Sequence, residues 1–553
     1  MRERTARPHR FAFAARSLAL ALLLALLLPG CGGEAPGPAA GARAGKVYHF
    51  PLGSDPPTLD PAQATDTTSA SVINNLFEGL VRYDQTLTIQ AALAERWESN
   101  ADGTQWTFHL RRGVRFHSGR ELSAEDARYS FQRLLDPRTQ SKRTWVLDQL
   151  SGARDFMAGK AASVRGIEVL DAATLRLTLE HPFPPFLGLL AYTSANVVDR
   201  EAAERFGADF TSHPVGTGPF RLVTWRHDDR LLLERFEGYW NGPAALARIE
   251  FRIIPEETTR FEEYKAGTLH HTDIPSGHYE SVRSDPVLRA QLVQLPILGV
   301  YYLGLNLERP PFQNNLKLRR ALSHAIDRHT LTRVIMEGRA TPAGGILPPA
   351  MPGHQPDLNA YPYNPDLARR LLAEAGYPGG QGLPRLILFH NTDATHAKVA
   401  EFIQAQLQNL GVRVTIRTLD WAAYLDLLDS GAEFDLFRMG WIADYPDPQN
   451  FLEVLFHGKN RGPLGNKTRL NDAAVNALLD RALQTPVWEE RRRLYQEAEQ
   501  RILELAPAIF LFHYTTTVLI KPEVRGVQLS PLDSGITWTL QPMAAVSLAE
   551  APQ

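Results

Sequence analysis

The apolar positions change period in an ordered way from Leu386 onward. Leu386 to Phe389 is a short apolar run of strand length, after which Thr392 or Asp393 can cap a helix. Val399, Phe402, Ile403, Leu407 and Leu410 recur at helical spacing until Gly411 stops them. Val412, Val414 and Ile416 then alternate as a strand. Asp420 is placed to cap a helix over Trp421 to Leu428, Gly431 to end it, and Phe434 to Arg438 to form a third strand. This order, βαβαβ, predicts an open α/β lobe whose ligand crevice lies at the carboxyl ends of its strands. His390, Asn391, His396 and Gly440 to Asp444 all fall at such ends.

The earlier chain reads the same way. VYHFPLGSDPPTLDP, from Val47, predicts a strand and a proline-set turn, and Asn74 to Leu80 is expected to continue as helix. Trp106, Phe108 and Leu110 alternate with polar residues after an Asp102-Gly103 turn, a hairpin pattern. Ser123, three residues before Asp126, opens the helical spacing of Ala127, Phe131 and Leu134. Ile253 to Ile274 predicts a strand, a helix ending at Gly267 and a second strand.

Phe434 to Leu452, FDLFRMGWIADYPDPQNFL, holds the candidate chemistry. Its first half, to Trp441, has the apolar look of a buried strand, and Gly440 and Ala443 leave room for backbone from another molecule to approach closely. Asp444 follows among apolar and aromatic neighbours, ahead of Pro446 and Pro448. It is either an acid fixed in a cleft by a stiff loop or a solvated turn residue before X-Pro.

Length and composition narrow the setting. At 553 residues the chain exceeds one core, so two or three domains are expected. Apolar residues make up 44 % and charged residues 22 %, as in soluble globular proteins, and the net charge of −2 argues against a nucleic-acid partner. Five arginines precede an uncharged Leu18 to Leu28 run, too short for a mature membrane span, so residues 1–31 read as an export signal. Leu28-Pro29-Gly30-Cys31 resembles a lipoprotein signal, which implies lipidation of Cys31, the only cysteine. Residues 32–46 form a Pro/Gly/Ala-rich tether.

Other chemistries lack their residues. Pro214 to Phe220 (PVGTGPF) misses the third glycine of a dinucleotide loop, and Pro219 removes an N–H. In Gly462 to Thr468 (GPLGNKT), Asn466 separates glycine from Lys467, so nucleotide binding is rejected. Adjacent His270 and His271 face opposite ways on a strand, and no HExxH or Cys/His cluster suggests zinc. No G-x-S-x-G motif supports a secreted hydrolase.

RMGWIADY, the block from Leu93 to Pro137, and PVGTGPF together resemble the family 5 solute-binding proteins of ABC importers, the oligopeptide- and dipeptide-binding receptors. The similarity covers nearly all of the chain after residue 46, and RMGWIADY is closer to the oligopeptide branch. The resemblance implies a two-lobed α/β periplasmic-binding-protein fold with an accessory domain and the ligand enclosed between lobes. Residues 47–78, 198–298 and 516–545 would form a discontinuous first lobe, 79–197 the accessory domain and 299–515 the second lobe. It implies no cofactor, no metal and no catalysis. The partners would be a peptide, the permease subunits and, through Cys31, a membrane; a monomer in the periplasm or at the cell surface is expected.

The resemblance also assigns residues. Asp444 would take the ligand's ammonium, Arg438 the carboxylate of short ligands and His396 that of longer ones. Thr65 to Thr67 on one lobe, with Gly440 and Ile442 on the other, would pair with the ligand main chain, and Trp421 would offer an aromatic wall. Leu428, Asp429 and Gly304 stand where the enterobacterial oligopeptide branch has two basic residues and an acid. A receptor for another solute, such as a metal chelate or glycan, and a peptide chaperone are the alternatives.

Overall fold

The computed structural model of the chain describes residues 46–419, 421–431, 434–533 and 542–549, without the side chains of Trp421 and Ala422. Cys31, the export signal, nearly all of the tether and the Asp420 cap lie outside these residues.

Three sheets carry the architecture. Val47–Leu52 pairs in parallel with Arg248–Ile253, and Arg230–Arg235 and Phe220–Arg226 extend that sheet antiparallel. Ala94–Ser99, Gln105–Leu110, Thr174–Thr178 and Ile167–Asp171 form an antiparallel meander of their own. The expected hairpin is its first pair, and the Ser123/Asp126 capping box opens the Ala124–Leu135 helix beside it. The third sheet is mixed and has seven strands. It runs His271–Asp273, Ala508–Ile520, Leu292–Leu305, Leu436–Ile442, Leu386–Asn391 and Val414–Leu419, with Ala340–Pro342 also on Ala508–Ile520.

The βαβαβ unit is present with shifted bounds. Its strands are Leu386–Asn391, Val414–Leu419 and Leu436–Ile442, joined by helices Ala394–Asn409 and Trp421–Ser430. Asp393 supplies the cap of the first helix by accepting from the His396 N–H. The third strand starts two residues later than expected and reaches Ile442, because Gly299–Leu305 pairs with all of it.

The expected helix over Asn74 to Leu80 is corrected. The helix is Thr67–Leu76, and Phe77 leaves it in extended conformation. Glu78 pairs instead with Val197, while its carboxylate accepts from Tyr239, Trp240 and Thr217. A polar cluster from distant segments thus overrides a helical spacing that the apolar residues alone allow.

PVGTGPF lies against the end of that helix. A Cβ at Gly216 or Gly218 would collide with the carbonyl oxygens of Leu76 and Asn75, which is why both are glycine. In GPLGNKT, Lys467 pairs with Asp429 and Asn466 holds the Leu470 carbonyl at 2.8 Å, so this loop is a structural turn.

Separate cores underlie the sheets. One gathers Tyr48 to Phe77, Val198 to Phe251 and Val524 to Val546; another gathers Leu80 to Val197, joined by Tyr445. Two more pack on opposite faces of the large sheet from Leu298 to Leu532. Two long antiparallel strands, Leu292–Leu305 and Ala508–Ile520, run from the small core around Phe261 and Leu519 into those two, with a register break between Pro296 and Val300.

Candidate functional site

The Leu436–Ile442 strand is the axis of the site. From Phe437 onward it alternates: Phe437 and Met439 are buried, Arg438 and Gly440 are half-buried, and Ile442 is 44 % exposed. Arg438, Gly440 and Ile442 therefore share the open face, as period two requires. Along one edge the strand pairs with Gly299–Leu305 over its whole length. Along the other, Leu386–Asn391 pairs only with Leu436 and Phe437. From Arg438 to Ile442 that second edge has no strand partner among the described residues, although Tyr424 donates to the Arg438 carbonyl.

Just beyond the strand, the Ala443 N–H donates to Leu298 O at 2.8 Å, which fixes the chain as it turns into the proline loop. Asp444 is half-buried and makes no ion pair among the described residues. The Tyr192 hydroxyl donates to its Oδ1 at 3.4 Å, and Asn450 Nδ2 donates to its Oδ2 at 3.4 Å. The Asn450 Oδ1 accepts from the Asp444 N–H at 3.1 Å and from Trp441 Nε1 at 3.0 Å, so one amide sets both ends of the loop. Burial pushes the Asp444 carboxyl above its ordinary range, against the Arg143 guanidinium and these two donors. A carboxylate held this way, with no fixed cation in contact among the described residues, is suited to a cationic partner.

A cavity of about 420 Å³ opens onto Asp444. Thr65, Asp66 and Thr67 line it from the start of the Thr67–Leu76 helix, Arg143 and Tyr192 from the Leu80 to Val197 unit, and Ile442 and Ala443 from the strand. Four residues expected at the site, Thr65, Thr67, Ile442 and Asp444, thus meet around one space. Thr67 is the first helical residue after the Asp66 cap.

Arg438, Gly440 and His396 belong to a second cluster farther back along the strand. Arg438 donates to Asn391 Oδ1 at 3.3 Å and to the Tyr514 hydroxyl at 3.2 Å, and its guanidinium lies 4.6 Å from the centre of the Tyr301 ring. It too makes no ion pair among the described residues. His396 sits in the first turn of its helix with its side chain 14 % exposed, 3.5 Å from the Tyr301 hydroxyl and 3.3 Å from Asp393. Burial, reinforced by Arg438, lowers its pKa to about 4, so at neutral pH it is uncharged. Gly440 differs from the expectation. The space its side chain would fill is taken by the Tyr514 ring, so this glycine admits a residue of the chain itself. Trp421 has its side chain outside the described residues.

The departures from the oligopeptide branch have structural counterparts. Leu428 is core, Asp429 pairs with Lys467, and a side chain at Gly304 would collide with the Phe437 ring. Tyr192, Arg143, Asn450 and Tyr514 were not foreseen. Only Asn450 lies near a foreseen residue in sequence. Among the described residues, no group of three or more His, Cys, Asp or Glu side chains is arranged for a metal.

Residues 88–463 match the family model described as "Bacterial extracellular solute-binding proteins, family 5 Middle". The chain belongs to that family. It is the solute-binding component of an ABC transporter, acts outside the cytoplasm and is not an enzyme, and its architecture is the two-lobed α/β fold of such receptors. Among curated relatives, heme-binding protein A of Haemophilus influenzae is 33 % identical over 87 % of this chain and 88 % of its own. The oligopeptide-binding protein OppA of Bacillus subtilis is 29 % identical over 92 % and 95 %. The solved structure of the Escherichia coli murein tripeptide binding protein MppA is 29 % identical, covers 92 % of this chain and 99 % of its own, and superposes with a TM-score of 0.76.

Proposed function

We propose that this receptor captures peptides in an extended form and delivers them to its permease. The observation that carries the reading is the open edge from Arg438 to Ile442, bounded by an unpaired cation at one end and an unpaired Asp444 just past the other. A peptide offers main-chain N–H and C=O groups to such an edge whatever its side chains are. Its ammonium completes Asp444. Arg438 receives the carboxylate of short ligands, and His396 that of longer ones. Thr65 and Thr67 face the ligand's first residues across the 420 Å³ cavity.

The relatives' names range from heme to oligopeptides, so the ligand class needs a direct test. Native mass spectrometry of the purified protein, followed by calorimetry with free and N-acetylated peptides, provides it. Free peptides are expected to bind and acetylated ones to lose roughly 30-fold or more. Asp444→Asn should weaken free peptides to a similar level. Equal affinity for both forms in the unaltered protein would remove Asp444 from this role, and a retained non-peptidic solute would favour the other reading.

The division into a first lobe of residues 47–78, 198–298 and 516–545, an accessory domain of 79–197 and a second lobe of 299–515 is part of the same proposal. The separate apolar cores support it. So is the anchor at Cys31: Cys31→Ser should move the protein to the soluble fraction with ligand affinity intact, and unchanged membrane retention would rule the anchor out.

A further inference from the structure

The Asp444 cavity holds a cation with no acid on it. Arg143 enters on the segment between the Ala124–Leu135 helix and Trp145, and its Nη2 donates to the Thr65 carbonyl at 2.6 Å. Its guanidinium lies 5.7 Å from the centre of the Tyr192 ring, the same tyrosine whose hydroxyl reaches Asp444. Its Nε is enclosed and makes no hydrogen bond among the described residues. Asp66 lines the cavity as well, but both of its oxygens accept from Ser69, one from the N–H and one from the hydroxyl, each at 2.8 Å. No ion pair joins Arg143 to Asp66 or Asp444.

We propose that this end of the cleft is built for a ligand whose first residue carries an anion beside its ammonium, with Arg143 receiving the anion while Asp444 holds the ammonium. The proposal rests on the reading that Asp444 takes the ligand's amine. An ammonium and a carboxylate on one carbon are two bonds apart, and a 420 Å³ cavity accommodates both. A guanidinium with spare donors binds a carboxylate through paired hydrogen bonds, which gives direction as well as charge. Arg143 also acts on Asp444 itself, opposing the effect of burial on that carboxyl. A ligand anion that engages Arg143 takes over its charge and leaves Asp444 to the ammonium.

The anion has two possible sources. It is the α-carboxylate of a first residue linked through its side chain, or the side-chain carboxylate of an ordinary N-terminal Glu or Asp. Three tripeptides with free termini separate them: γ-Glu-Gly-Gly, Glu-Gly-Gly and Gln-Gly-Gly, titrated calorimetrically at pH 7. At least one acidic probe is expected to bind 10-fold or more tighter than Gln-Gly-Gly, and the tighter of the two names the source. Arg143→Gln keeps a donor for the Thr65 carbonyl but removes the charge. It should bring the ratio of acidic to neutral probe close to one, and Arg143→Lys should restore part of it. A residue that only holds Thr65 in place would weaken all three probes alike and leave the ratio standing, which overturns the proposal, as does a ratio near one in the unaltered protein. Failure of all three to bind would instead overturn the peptide reading on which it rests.

Discussion

At neutral pH the His396 imidazole is uncharged, because burial and the neighbouring Arg438 hold its pKa near 4. A ligand carboxylate brought against it favours the protonated form, so the pKa rises in the complex and binding takes up a proton. On the proposed assignment, the contribution of His396 to the affinity of long ligands should therefore rise as the pH falls from 7 toward 5. On the same assignment Asp444 acts in the opposite direction: burial has raised its carboxyl, and protonating it would remove the partner proposed for the ammonium of every ligand. The ratio of long- to short-peptide affinity isolates the imidazole. That ratio should grow on acidification and stay flat in His396→Ala, as calorimetry in buffers of different ionisation enthalpy will measure. Arg438→Met should cost short peptides about 2–5 kcal/mol and long ones less, in the same length series. That Arg438 and Asp444 sit on one strand and the loop after it was legible, because the apolar run and the prolines that follow it mark both. Tyr192 was not, since it reaches Asp444 from 252 residues away and no local pattern marks it.

If the strand from Leu436 to Ile442 pairs with the ligand main chain as proposed, a site for varied peptides needs few side chains. Among the described residues the strand's edge toward Leu386–Asn391 has strand pairing only at Leu436 and Phe437, and beyond the Arg438 carbonyl, which accepts from Tyr424, it has no strand partner. Methylating one ligand amide that pairs with this edge should cost about 0.5–1.5 kcal/mol, and methylating the next, which points away, much less. A scan of singly N-methylated pentapeptides by calorimetry should show that alternation; a flat profile would argue against strand addition. The surrounding βαβαβ unit was readable because each element keeps its own period and its own stop, such as Gly411 and Gly431. The end of the Thr67–Leu76 helix was not, because Glu78 is claimed by Thr217, Tyr239 and Trp240, partners that no window around it contains. At Gly440 the expectation was the backbone of another molecule, whereas the space beside it is taken by the side chain of Tyr514.

Across the whole molecule, the Leu292–Leu305 and Ala508–Ile520 strands link the cores, and their register breaks between Pro296 and Val300. Bending there would let the lobes close on a ligand, so small-angle scattering should show a smaller radius on adding peptide. His513, paired with Val300 beside that break, is buried near His354, and burial lowers its pKa to about 3. The unfolded chain takes up its proton near pH 6.5 and the folded chain only near pH 3. The stability from keeping it neutral is thus complete above pH 6.5 and drains away as the pH falls, at about 1.4 kcal/mol per unit. Buried carboxyls such as Glu78 and Glu499, with raised pKa values, act in the opposite sense, so the difference from a variant is the readout. His513→Gln should lose less stability than the unaltered protein between pH 6.5 and pH 4, measured by urea midpoints. The open edge at Arg438 to Ile442 also has a consequence for the empty receptor. Unpaired strand edges are templates for another chain, and here neither proline nor lysine guards the stretch. On the proposed reading the unliganded protein is the form most exposed to edge-to-edge self-association, and a ligand occupying that edge would keep it soluble.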